Sequence, residues 1–76
     1  MFAHIKWIDT VDSSGWDTAD KVSVIEVDQW GFIVHEDELQ VKIADTWSEG
    51  SFFGVTAIPR GCIREINHLA SVEDPA

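Results

Sequence analysis

Leu39, Val41 and Ile43 alternate with Gln40, Lys42 and Ala44, the cleanest period of two in the chain. Alternating side chains point to opposite faces of an extended strand, so the pattern predicts strands with one buried face. Residues 2–9 repeat it, with Ala3, Ile5 and Trp7 on one side and His4 and Lys6 on the other. Residues 22–28 are rich in β-branched side chains, and 29–35 continue the apolar character. Gly31 inside that run predicts a bulge or sharp bend. Phe53 to Ile58 and Ile63 to Leu69 complete the set. Turn chemistry separates the segments: Ser13-Ser14-Gly15, Glu36-Asp37-Glu38, Ser48-Glu49-Gly50-Ser51 and Pro59-Arg60-Gly61. Within the long first loop, Asp17 through Lys21 allows one capped helical turn. No segment of useful length carries helical amphipathic spacing. The expected fold is all-β: a small five-stranded antiparallel barrel, Sm-like or Src-homology-like, with one long loop after the first strand. Closure would remove the exposed strand edges. An incompletely closed barrel would pair its edges between subunits, in a ring or dimer.

Size limits what such a barrel does. The 76 residues form one domain, expected over 1–70, with 71–76 as a fraying tail. A core this small leaves little room for a deep catalytic cleft, and a homo-oligomer is the expected way to supplement it. Fourteen acidic against five basic residues give a formal charge of -9, which disfavours general nucleic-acid binding. Cys62 is the single cysteine and forms no intramolecular disulfide. With no signal-like or membrane-spanning apolar stretch, the expected location is the cytoplasm.

Three segments carry a resemblance. They are Trp7-Ile8-Asp9 with Gly15-Trp16, then Gly31-Phe32-Ile33-Val34 before acidic residues, then Ile58-Pro59-Arg60 with Ile63, Ile66 and Leu69. Together they resemble a family of short, mostly uncharacterised phage-encoded proteins. The resemblance implies a viral accessory protein that acts by binding a host component. It supplies no site residue.

Catalytic and metal-site patterns are weak. The chain lacks a nucleophile elbow, a phosphate-cradling glycine loop and a zinc-protease motif. Ser13-Ser14-Gly15 reads as turn chemistry, and Cys62 as a small apolar residue at a strand start. His35-Glu36-Asp37-Glu38 is dense in oxygen ligands but lacks the spacing of a calcium loop, so it reads as a solvated hairpin tip. The expectation is a non-enzyme without cofactor or metal.

Tryptophan and arginine are the stronger signals. Trp7 reads as core, and Trp30 is ambiguous. Trp16 and Trp47 stand beside polar loops, either as lids over the barrel or as contact residues offering a flat face to a nucleobase or a partner. Arg60 and Arg64 form the one locally basic segment. They either pair with carboxylates of their own chain or bind the phosphates of a small ligand. Asp9 joins Trp16, Trp47, Arg60 and Arg64 as a candidate binding residue. The leading expectation is sequestration of a small phosphate-bearing nucleotide signal. The alternative is an acidic, DNA-mimic-like inhibitor that occupies a basic surface of a host defence or nucleic-acid-handling protein.

Overall fold

In the computed structural model, which describes residues 2–12, 15–16 and 18–69, the segments expected to be extended form five strands. They are β1 (Phe2–Asp9), β2 (Ile25–Glu36), β3 (Gln40–Ser48), β4 (Ser51–Pro59) and β5 (Ile63–Leu69). The two apolar runs expected around Gly31 form one 12-residue strand, β2, which begins at Ile25 rather than Val22. Short 3-10 turns cover Ala19–Lys21 and Arg60–Cys62. The first starts one residue later than expected and follows Thr18, whose side chain makes no capping bond. Asp17, Ser13, Ser14 and the expected tail lie outside the described residues.

The strands form one antiparallel sheet of order β4-β3-β2-β1-β5. β2 is its spine. Its first part pairs with β1, from Asp9↔Ile25 to Phe2↔Phe32. Its last part pairs with β3, from Phe32↔Ala44 to Glu36↔Val41. The exchange of partners is crowded, and Gly31 makes it possible. A Cβ at Gly31 would fall within contact distance of the Ala44 carbonyl oxygen and 2.8 Å from Ile43 Cγ1. The register irregularity expected at Gly31 lies instead between Ile33 and His35. Gly31 supplies clearance, and the bend follows it.

One face of the sheet curls into the core. Ile5, Val41, Ile43 and Ile58 are fully buried there, and Trp7, Ile33, Ile63 and Ile66 pack against them. Each buried aliphatic side chain contributes about 1.5–3 kcal/mol. A polar chain crosses the same face. Trp7 Nε1 donates to Gln29 Oε1 at 3.1 Å, and Gln29 Nε2 donates to Thr56 Oγ1 at 3.2 Å. The second bond joins β2 to β4 past the intervening β3, so it records the curl directly. Trp7 is core-facing, as its alternation predicts.

The sheet does not close into a barrel. β4 and β5 are its two edges, and no ladder joins them. The tip half of β4 explains why. Asp45 to Ser48 of β3 lie beyond the last β2–β3 pair and are matched by β4 alone. That part of the hairpin runs out past the sheet by about 13 Å, at ~3.3 Å per residue. It is therefore not wrapped back toward β5. Among the described residues no helix is long and apolar enough to cross a membrane.

Gly31→Ala forces either β3 or the Ile43 side chain to move. The expected loss is about 1–3 kcal/mol of stability, read as a lower denaturation midpoint in urea with the cooperativity kept. A neutral result would show that the strands have room to part at Ala44.

Candidate functional site

The overhanging hairpin turns in two residues. Ser48 pairs with Ser51, and Glu49 and Gly50 between them have φ of 49° and 79°. Positive φ at both central positions matches the right-handed twist of the flanking strands. Glycine enters that region freely, whereas a residue with a Cβ is strained by about 1–2 kcal/mol. Glu49 is thus a carboxylate held at the tip against its backbone preference. Asp45 is the other acid of the overhang, and its carboxylate lies over Gly54, where any side chain would collide with it. Gly54 itself has φ of 70°. Residues 44–55 contain these two acids and no Lys or Arg.

Apolar side chains cover the rest of the hairpin. Phe53 is 76% exposed, Val55 50%, Phe52 42% and Trp47 39%. Trp47 and Phe52 pair on one face of the ribbon, and Phe53 and Val55 project from the other, so apolar surface meets water on both faces. The face of Trp47 and Phe52 continues onto the sheet. Trp47 lies opposite Phe52 in the β3–β4 ladder. The Phe52 ring centroid is 6.4 Å from that of Phe32, which is 5.3 Å from Phe2 in an edge-on contact. Trp30 stands two residues before Phe32 on the same strand and is 55% exposed. Its ring stacks on His4 at 4.6 Å.

His4 is fixed from both sides. Asn67 Nδ2 donates to His4 Nδ1 at 3.1 Å and to Glu65 Oε2 at 2.6 Å. His4 Nε2 then donates to Asp28 Oδ1 at 2.8 Å, which sets the tautomer. The result is an aromatic row, Trp30, Phe2, Phe32, Phe52 and Trp47, anchored at one end and projecting at the other.

The candidate residues named from sequence do not converge. Trp47 belongs to the aromatic row. Trp16 is fully exposed in the loop after β1, so it is not a lid over the core, and Trp47 is not among the side chains packed on the buried cluster. Arg60 lies at the other end of the hairpin, beside the Gln40↔Pro59 pair. Seven residues along the ladder separate it from the level of Trp47, about 23 Å at ~3.3 Å per residue. Arg60 is also engaged by its own chain. Its Nε donates to the Asp37 carbonyl at 2.9 Å, and its Nη2 pairs with Glu36 Oε1 at 3.4 Å. Arg64 is exposed on β5, opposite the register shift at Lys6/Trp7, and forms no ion pair among the described residues. Asp9 ends β1 and accepts from the Thr10 backbone N–H at 2.8 Å. The described residues enclose no cavity among these groups.

Reading the sequence segment by segment missed Phe52 and Phe53 as surface residues. The signal was present: adjacent aromatics on one strand cannot both face a one-sided core. The Glu36–Glu38 tip is likewise more than a solvated turn. Asp37 Oδ1 accepts from the backbone N–H groups of Leu39 at 2.8 Å and Gln40 at 2.9 Å, and Oδ2 contacts His35 Nε2 at 2.7 Å. The His35 hydrogen bond, then the two backbone bonds, lower Asp37 from 3.8 to about 2. Against family models, curated proteins and solved structures, the chain shows no match.

The depressed Asp37 value sets a pH window. Its contacts favour the carboxylate, so their contribution is complete above about pH 4 and disappears as pH falls through about 2. Thermal melts from pH 5 to 2 should show a steeper fall in Tm for the native chain than for Asp37→Asn. Parallel curves would show that the turn does not depend on the charge.

Proposed function

We propose that this chain is a non-catalytic accessory protein that works by docking an acidic, aromatic surface onto a basic surface of another protein. One observation carries the reading: the overhanging hairpin holds Trp47, Phe52, Phe53 and Val55 in water beside two carboxylates and no cation. Aromatic groups of this kind dominate binding energies when a partner desolvates them. The chain's charge of -9 would speed encounter with a basic partner and make the complex salt-sensitive. The resemblance to short phage-encoded proteins supports a host protein as that partner, in a defence or nucleic-acid-handling complex. Sequestration of a nucleotide signal draws less support. It calls for Trp and Arg around one concavity, whereas Arg60 is held by Glu36 and Asp37 at the far end of the hairpin from Trp47.

The test takes a partner recovered with the native chain and measures its affinity by titration. Trp47→Ala and Phe53→Ala should each weaken binding at least about tenfold, and raising salt from 50 to 500 mM should weaken it further. Binding that ignores both substitutions would remove the hairpin from the interface. Nucleotides that raise Tm by mass action while the protein partner does not would favour the sequestration reading instead.

Glu49 separates stability from function at this surface. Glu49→Asn suits the left-handed backbone better and should raise Tm. It also deletes a tip carboxylate, so affinity for a basic partner should fall. A variant that gains both stability and affinity would show that the charge serves no binding purpose.

A further inference from the structure

The two open edges of the sheet differ in a way that bears on assembly. Exposed edge strands invite pairing with another chain, and soluble proteins guard them with charge, irregularity or brevity. β5 is guarded. It is seven residues long, carries Arg64, Glu65 and His68, and shifts register against β1 at Lys6/Trp7. β4 is interrupted at Gly54 but carries no charge: its nine residues, SFFGVTAIP, contain no charged side chain in a molecule whose net charge is -9. Ala57 and Val55 are exposed along it, Phe53 stands beside them, and no strand among the described residues pairs its outer side.

We infer that β4 is a self-association edge, and that its occupant is the β4 strand of a second copy of this chain, paired antiparallel about a twofold axis. Charge argues for the second copy. Two chains at -9 repel overall, and they approach most cheaply where neither presents a carboxylate. The Val55–Ile58 part of the β4 edge meets that condition, since Asp45 lies over Gly54 and Ala57 is paired with Lys42. The left-handed backbone at Gly54 interrupts the strand, so regular pairing is confined to Val55–Ile58, where Pro59 ends it. With the axis at Ala57, the two Ala57 residues meet, and Val55 of each copy lies opposite Pro59 of the other. An isologous contact uses one edge twice and closes at two subunits. The guarded β5 edge stops the growth that a β4-to-β5 contact would allow. The assembly is a dimer, not the ring that a head-to-tail pairing would build.

This inference shares Val55 and Phe53 with the partner reading, and salt separates the two. Association between like-charged copies through an apolar edge tightens as salt screens the repulsion, whereas docking to a basic surface weakens. Sedimentation equilibrium on the full chain should show a monomer–dimer transition between about 1 and 100 µM, as expected for a small interface, shifting to lower concentration in 500 mM salt. Ala57→Glu is the matched variant. Position 57 faces Lys42 in the β3–β4 ladder, so the new carboxylate is tolerated by the fold and sets like charges against each other at the twofold. It should raise the dimer dissociation constant at least about tenfold. Hydrogen exchange gives a second reading on the unmodified chain: amides of residues 55–58 should gain protection with concentration while those of β5 do not. A chain that stays monomeric at several hundred µM, forms rings or open polymers, dimerises equally well as A57E, or shows no concentration-dependent protection in β4 would overturn the assignment.

Discussion

The close passage between Gly31 and Ala44 governs this structure. β2 serves two partners in succession, β1 over its first part and β3 over its last, and the change occurs where a hydrogen atom is the largest substituent the gap admits. Without that clearance β3 would stand off from β2, and Ile43 would lose its place among Ile5, Val41 and Ile58. The curl of the sheet, the Gln29–Thr56 bond and the small core all follow from this one contact.

A consequence appears at the other end of β3. Once β3 has crossed β2 at Ala44, its remaining residues have only β4 to pair with. Two-stranded ribbons are marginal alone in water, and this one is rooted in a sheet at its base. The aromatic row gives it further support, because Phe52 reaches back to Phe32 and Phe32 to Phe2. The hairpin is therefore held in direction although its tip is solvated.

Much of the fold was legible in the sequence because strand formation is a local affair. Alternation at Ala3-Ile5-Trp7 and Leu39-Val41-Ile43, and the Pro59-Arg60-Gly61 stop, depend on neighbouring residues only. Closure was not legible. It depends on whether β4 reaches β5, and the overhang that prevents it arises from the register of β2 against β3. The site divides in the same way. Trp47 stood out as an aromatic beside a polar turn, and it does belong to the exposed surface. Trp16 and Arg64 also stood out and are exposed, yet no contact joins them to that surface. Both readings of Arg60 stayed open because its partners, Glu36 and Asp37, lie 24 and 23 residues away in sequence. Phe52 and Phe53 were passed over because strand propensity explained them sufficiently.

The overhang also bears on how such a protein can change. Residues of the core are tied to one another, so substitutions there are constrained by folding. The side chains at Trp47, Phe52, Phe53 and Val55 lie outside the buried cluster, with 39% to 76% of each residue exposed. Replacing Phe53 or Val55, which take no part in the aromatic row, alters what the molecule meets with little effect on whether it folds. The exposed side chains are thereby separated from the architecture along one short ribbon. The ribbon can exchange its outward side chains repeatedly while the sheet behind it stays the same.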